Sequence, residues 1–149
     1  MTYHLVEPEV AGEMGEGTIQ DRSTHPPRVD HLVYEIKGWM GDDLMTTFPC
    51  FIATRRLSDT LADSGLGTFS FRDVQVTLST EGEQTLEAVG FERFPECRWL
   101  HVTGTPRRDD FGVTSFAGDL VVSGRGLAVL RQGHLEHAHI EQYDPEVHK

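Results

Sequence analysis

The sequence predicts an α+β fold in a single domain of 149 residues. Two segments, Phe51–Gly65 and Asp119–Gly133, share one order: a short apolar strand, a hydroxyl residue, and a helix that ends at glycine. A strand-like run follows each segment, Thr68–Leu78 after the first and Leu135–Tyr143 after the second. We therefore expect two strand–helix–strand units that pack two helices on a mainly antiparallel or mixed sheet.

Amino-acid composition and net charge limit the classes of protein to which the chain can belong. A hydrophobic content of 38% with 25% charged residues is typical of a globular domain, and no apolar run approaches the roughly 20 residues of a membrane-spanning helix. The first ten residues lack the basic and apolar regions of a secretory signal, which predicts a cytoplasmic protein. The net charge of −11 argues against nucleic-acid binding, which needs a basic patch. It favours solubility or association with a basic protein.

The N-terminal part of the chain predicts two strands and a loop. Thr2–Val6 and His31–Lys37 alternate apolar and polar residues, as half-buried strands do. Residues 7–27 between them are rich in Gly, Glu and Pro and lack periodicity, which predicts a flexible loop.

A turn with an aromatic residue follows at Gly38–Asp43. The sequence is consistent with two positions for Trp39, either packed at the edge of the core or exposed as a contact residue. Asp42 or Asp43 is positioned to cap a short segment at Leu44–Phe48.

Both predicted helices carry start and stop signals. Thr54 precedes the helix expected at Arg55–Ser64, and Ser123 precedes the helix expected at Gly124–Gln132; both hydroxyls are good N-caps. A glycine follows each helix, as is common at helix C-termini. The sequence leaves open whether the units are an internal duplication or two convergent strand–helix solutions.

The region between the two units predicts two strands and a loop. In Thr68–Leu78 the apolar alternation changes phase at Arg72-Asp73, which predicts a β-bulge or bend. Ser79–Glu87 is polar and predicts a loop. Arg98–Gly104 alternates and predicts a further strand.

The C-terminal part predicts an exposed loop, a buried strand and a free end. Thr105–Phe116 contains a proline, paired arginines and paired aspartates, and is the best candidate for an exposed functional loop. Leu120–Val122 is apolar on both faces, as an interior strand is. Residues 144–149 are predicted to be a frayed tail.

One predicted strand presents a possible metal site. His137, His139 and Glu141 alternate, so period-2 geometry places them on one face, and His101 of another strand could complete a tetrahedral set. A solvated or partner-facing strand gives the same pattern, and nothing in the sequence orients these side chains. We therefore predict no bound metal.

The sequence contains no recognisable catalytic motif. Cys50 and Cys97 have no metal or redox spacing and are predicted to be buried thiols, although one disulfide between them stays open. Ser123 has no nucleophile elbow around it. We predict that the protein is not an enzyme and uses no cofactor.

Four blocks of sequence carry a resemblance to a known family. They are Trp39–Val76 (WMGDDLMTTFPCFIATRRLSDTLADSGLGTFSFRDVQV), Phe94–Gly104 (FPECRWLHVTG), Asp109–Val113 (DDFGV) and Asp119–Tyr143 (DLVVSGRGLAVLRQGHLEHAHIEQY). Their order resembles the immunity protein 11 family of bacterial polymorphic-toxin systems. The chain departs from the family at Leu66-Gly67-Thr68 in the turn after the first helix, and it lacks the CxxC pairs of some relatives.

The resemblance implies a non-enzymatic protein that binds and neutralises a cognate toxin effector, encoded nearby, inside the producing cell. The family has no catalytic residues to transfer. For the contact surface we predict turn residues beside strands together with the face of the last strand. These are Trp39, Asp42, Asp43, Arg107, Arg108, Asp109, Asp110, His137, His139 and Glu141.

Two other functions compete with toxin neutralisation. One is a small metal-dependent enzyme built on His137, His139 and Glu141. The other is a structural or assembly module that accompanies a secretion system. The partner expected for the first function is a protein, with no nucleic acid and no membrane, and the oligomeric state stays open.

Overall fold

The computed structural model describes residues 2–149, which form three α-helices and thirteen β-strands. The helices are α1 (Arg55–Asp63), α2 (Thr80–Ala88) and α3 (Gly124–Leu130). The strands are β1 (Tyr3–Glu7), β2 (Gly12–Met14), β3 (Ile19–Asp21), β4 (Arg28–His31), β5 (Val33–Ile36), β6 (Leu44–Thr47), β7 (Cys50–Thr54), β8 (Phe69–Arg72), β9 (Gln75–Leu78), β10 (Cys97–Val102), β11 (Phe111–Val113), β12 (Leu120–Ser123) and β13 (His139–Gln142). The predicted α+β fold is confirmed.

The described strands form four sheets. Two sheets have four strands, in the orders β6-β7-β10-β8 and β11-β12-β1-β13. A three-stranded sheet has the order β2-β5-β9, and β3 and β4 form a hairpin. Pairing is antiparallel except between β5 and β9, which run parallel.

The two four-stranded sheets are built alike. In each, a hairpin (β6-β7 or β11-β12) leads into a helix (α1 or α3) and then into the outer strand at the far edge (β8 or β13). The remaining strand of each sheet comes from the other half of the chain: β10 precedes β11 in sequence but pairs with β7, and β1 precedes β6 but pairs with β12. This shared topology favours an internal duplication. Because β1 and β10 each pair with a strand from the other half of the chain, the two halves are held together by backbone hydrogen bonds.

The main core lies where these two sheets meet α1 and α3. Leu57 and Leu61 of α1 pack with Leu127 and Leu130 of α3, and all four are buried as their helical spacing predicted. Val122 of the central strand β12 is fully buried in the same cluster.

The sheet β6-β7-β10-β8 is covered on both faces. Phe51 and Leu100 belong to the main core, whereas Ile52 and Trp99, one residue along each strand, belong to a second cluster with Tyr34 of β5. This alternation follows from the two-residue period of strands. Cys50 and Cys97 are both free thiols, and burial raises the pKa of each to about 12.

Helix α2 corrects the prediction of a polar loop at Ser79–Glu87. The Ser79 hydroxyl caps the helix by accepting a hydrogen bond from the Gly82 backbone N–H at 2.9 Å. Glu81 and Glu83 lie in the first turn, where the helix dipole favours negative charge. Only Gly82 and Leu86 are buried, so the apolar periodicity that reveals a helix is missing.

The predicted loop at residues 7–27 is also wrong in part, because it contains β2 and β3. Gly12 allows β2 to lie against β5, since a Cβ at this position would overlap the Glu35 carbonyl oxygen. The predicted strand His31–Lys37 is divided into β4 and β5, which join different sheets. At Arg72-Asp73 the predicted bend passes the chain from β8 in one sheet to β9 in another.

Further corrections concern chain segments near the site. The short segment at 44–48 is strand β6, and the predicted loop at 105–116 contains β11. The tail at 144–149 is held in place, because the Phe116 and Ala117 backbone N–H groups donate to the Lys149 carbonyl oxygen. The last strand spans only His139–Gln142, and α3 ends at Leu130.

We expect Gly82→Ala to destabilise the protein. A Cβ at Gly82 would overlap the Ile36 carbonyl oxygen under the helix, and such overpacking costs about 1–3 kcal/mol, more than the gain of about 1 kcal/mol in helix propensity. Urea unfolding of this variant measures the loss. Gly124→Ala in α3 is the matched control, since a Cβ there meets no atom within 4 Å. Equal stability of the two variants would contradict the close packing of α2.

Candidate functional site

The turn Gly38–Asp43 collects three of the predicted contact residues, but in the interior. Trp39, Asp42 and Asp43 are only 6%, 1% and 4% exposed. Of the two positions considered for Trp39, the structure shows the packed one. Its indole Nε1 donates to the Asp42 carbonyl oxygen at 2.8 Å. These three side chains are therefore too buried to contact a partner protein directly. Any effect on binding comes through the surface residues that they hold in place.

Asp42 fixes the chain that leaves helix α3. Its carboxylate accepts hydrogen bonds from the backbone N–H groups of Glu136 (3.0 Å) and His137 (2.8 Å). It also lies 3.0 Å from Nδ1 of His137, and this hydrogen bond raises the pKa of the His137 ring. These bonds hold residues 136–137 at the turn, outside β13, which begins at His139.

Asp43 ties the same turn to helix α1. Its carboxylate accepts from the Thr54 hydroxyl (2.8 Å), the Arg56 guanidinium (2.6 Å) and the His134 backbone N–H (2.7 Å). Burial by itself would raise the pKa of Asp43, but these donors outweigh it and hold the pKa below its ordinary value. Gly133 leaves room for this contact, because a Cβ there would lie 2.7 Å from the carboxylate.

Asp110 repeats this arrangement in the second unit. Its carboxylate accepts from the Ser123 hydroxyl at 2.5 Å and from the Arg125 guanidinium at 2.8 Å. The hydrogen bond from Ser123, aided by Arg125, lowers the pKa of Asp110. Arg56 and Arg125, each two residues after a capping hydroxyl, thus have the same role in their units.

Glu9 is a buried member of the site that the sequence did not reveal. Its carboxylate accepts from the backbone N–H groups of Met40 (2.6 Å) and Asp42 (3.1 Å), and burial raises its pKa. Ligand atoms of Glu9, Asp42 and His137 lie within 4.8 Å of one another. Each carboxylate oxygen already accepts a hydrogen bond, so the cluster is explained by its role in holding the turn.

The proposed strand face of histidines and glutamate is not assembled as expected. His137 bonds Asp42, whereas His139 Nε2 lies 3.7 Å from a Glu141 oxygen and His148 Nε2 lies 3.0 Å from the other. His101 is in β10, which belongs to a different sheet.

The loop before β11 keeps the exposed position that the sequence predicted. Arg107 and Arg108 are exposed, and Arg107 has a positive φ of 70°. The Asp109 carboxylate accepts from the Thr105 backbone N–H at 2.8 Å, which closes the turn.

A surface groove of about 770 Å³ lies between β9, α2 and the segment 91–96. Its apolar lining consists of Val76, Leu78, Leu86, Phe91 and Phe94. Its charged lining consists of Glu83, Glu87, Glu92, Glu96 and Arg93. We call this surface the acidic groove, because four carboxylates face a single guanidinium.

Trp39 is buried and packs against two aromatic residues that line the acidic groove. Its ring lies 4.7 Å from the Phe91 ring and 4.9 Å from the Phe94 ring, measured between centroids. Gly41, with a φ of 110°, allows Phe91 to approach the turn, since a Cβ there would lie 3.3 Å from that ring. The buried turn therefore positions the aromatic lining of the groove.

No protein-family model matches the chain, and no curated protein is significantly similar to it. Among residues 2–149, no helix has both the length and the apolar character required to cross a membrane.

The His137–Asp42 contact predicts a pH-dependent contribution to stability. The folded-state pKa of His137 is raised above its ordinary 6.5, so its stabilising effect is present below pH 6.5 and is lost as pH rises through the folded pKa. His137→Gln keeps the backbone bond to Asp42 and removes the titration. We expect the variant to lose more stability relative to wild type at pH 6 than at pH 9, measured by urea unfolding. An equal loss at both pH values would contradict this role.

Proposed function

We propose that the protein is an immunity protein that binds a cognate bacterial toxin effector directly and neutralises it in the cytoplasm of the producing cell. The order of the four sequence blocks, which resembles that of an immunity protein family, suggests the class of function. The acidic groove is the observation that carries the proposal, because it combines an apolar lining with a concentration of negative charge.

The charge pattern suits a basic partner. A net charge of −11 steers a basic protein toward the surface and raises the association rate. Glu83, Glu87 and Glu92 of the acidic groove would meet lysine or arginine side chains of the toxin, whereas Glu96 already pairs with Arg55 at 3.1 Å. A toxin that acts on nucleic acid needs such a basic surface for phosphate binding, and an acidic inhibitor would cover it.

The apolar lining of the acidic groove adds hydrophobic contact to the electrostatic attraction. Leu78 and Phe91 are 36% and 40% exposed and lie in the same groove, where they offer a partner protein apolar surface to bury. Aromatic anchors in the centre of an interface slow dissociation. Trp39 and the packing of Gly82 hold Phe91 and α2 in place before binding, which reduces the entropy lost on association.

Five of the ten predicted contact residues have one of two roles in this proposal. Trp39, Asp42 and Asp43 position the acidic groove and the chain after α3. Arg107 and Arg108 are exposed, and they remain predicted contacts with the toxin outside the groove.

The first test is binding to the protein encoded by the neighbouring gene. We expect the two purified proteins to form a complex that is stable in size-exclusion chromatography, and co-expression to protect cells from the effector. Failure both to bind and to protect would refute the proposed function.

The second test places the contact in the acidic groove. We expect Glu87→Lys combined with Glu92→Lys to raise the dissociation constant at least tenfold, about 1.4 kcal/mol, because two attractive charges become repulsive. Calorimetry at low and high salt measures the effect, which should be smaller at high salt.

The matched control is Glu16→Lys combined with Asp63→Lys. These exposed carboxylates lie outside the groove, and their reversal changes the net charge by the same amount. If the control pair weakened binding as much as the groove pair, the effect would come from net charge and not from the acidic groove.

A further inference from the structure

A second concave site lies away from the acidic groove. It is a pocket of about 470 Å³ between β10, the β4 strand and the segment that follows β11. Trp99 and His101 of β10, Val29 of β4 and Thr114 line it, together with two arginines, Arg28 and Arg72, and one carboxylate, Asp30. Asp30 pairs with Arg28, which leaves Arg72 as the arginine of the pocket without a carboxylate partner in residues 2–149. None of its lining residues belongs to the acidic groove.

The sheet register brings three of these side chains together. Arg72 of β8 pairs with Trp99 of β10, so both side chains point to the same face, and His101 lies two residues further along that face. The Arg72 guanidinium carbon lies 5.4 Å from the centre of the Trp99 ring. The centroids of the Trp99 and His101 rings are 6.1 Å apart.

Arg72 carries a positive charge without a carboxylate partner in the described chain. Several other arginines of residues 2–149 also lack an ion pair, but Arg72 is the one that lines this pocket, whereas Arg28 of the pocket pairs with Asp30 at 3.3 Å. Ion pairs within 4.0 Å in residues 2–149 are formed by Arg28, Lys37, Arg55, Arg56, Arg125, His137, His139 and His148. The Arg72 guanidinium therefore has donors available to an anion in the pocket.

His101 adds an uncharged imidazole ring, with two nitrogen atoms, to the lining of the pocket. Burial, together with the nearby charge of Arg72, lowers the pKa of His101 below its ordinary value, so the ring is uncharged at pH 7. The histidine rings that form hydrogen bonds in residues 2–149 are those of His137 and His148. The His101 nitrogens are thus available to donate to or accept from a ligand.

We propose that this pocket binds a small anion with a flat apolar body, namely an aromatic carboxylate or an aromatic phosphate ester. The anionic group contacts the Arg72 guanidinium. The flat body lies against Pro26 and Pro49 and against the small part of Trp99 that is exposed, 5% of the residue. His101 bonds a polar atom of the ligand. The volume is within the range of about 300–1,000 Å³ found for small-molecule sites, and the mainly apolar lining with few polar groups is typical of them. This binding is independent of toxin neutralisation.

Tryptophan fluorescence provides a local reporter. The chain has two tryptophans, and Trp39→Phe leaves Trp99 as the only one. Because this variant loses the indole bond to Asp42, it is used only below its own thermal unfolding transition. We expect phenyl phosphate and phenylacetate to change its emission in a saturable manner, and calorimetry of the wild-type protein to give the same affinities. The stronger of the two ligands identifies the anionic group. Absence of saturable binding of both at millimolar concentration in both measurements would overturn the proposal.

Two control ligands test whether binding needs both the anionic group and the apolar body. Inorganic phosphate and benzyl alcohol each supply one half of the ligand, and both should bind at least tenfold more weakly than phenyl phosphate. Equal binding of inorganic phosphate would overturn the requirement for an apolar body. Equal binding of benzyl alcohol would overturn the requirement for an anion.

Variants assign the anion contact to Arg72. We expect Arg72→Gln to weaken binding of the preferred ligand at least tenfold and Arg72→Lys to weaken it less, because lysine keeps the charge but not the planar donors. Arg131→Gln, at an exposed arginine outside the pocket, should leave affinity unchanged. Unchanged affinity in Arg72→Gln, with its thermal unfolding intact, would overturn the assignment.

Discussion

Two adjacent buried carboxylates, Asp42 and Asp43, connect parts of the chain that are far apart in sequence. Asp42 accepts hydrogen bonds from the backbone of residues 136 and 137, and Asp43 accepts from the start of α1 and from His134. Glu9 in turn holds the backbone of the turn. Removing either aspartate carboxylate would leave buried donors without acceptors, at about 1–3 kcal/mol for each.

The same turn links the core to the surface proposed to meet the toxin. Trp39 is buried by its contacts with Phe91 and Phe94, which line the acidic groove. Substitutions at Trp39 or Asp42 would therefore change the shape of the groove and the stability of the fold together. Charge changes at Glu87 and Glu92 are better probes of binding, because these side chains are exposed.

The repeated strand–helix framework and the surface proposed to bind the toxin occupy different parts of the chain. Asp43 with Thr54 and Arg56 corresponds to Asp110 with Ser123 and Arg125, and both sets stabilise the junction of sheet and helix. The acidic groove is built by β9, α2 and residues 91–96, which lie between the two units in the chain. The elements added to the framework thus carry the proposed contact.

The sequence by itself determined the elements that depend on local signals. Thr54 and Ser123 cap their helices as predicted, because the cap, the apolar spacing and the following helix are neighbours in sequence. Leu120–Val122 is the buried strand that its composition indicated. Helix α2 was missed, since its packing depends on Gly82 and Leu86 instead of an apolar stripe. Only the tertiary structure decided the burial of Asp42 and Asp43, because their partners after α3 lie 91 to 95 residues away, and no local pattern shows that such distant donors will surround a carboxylate.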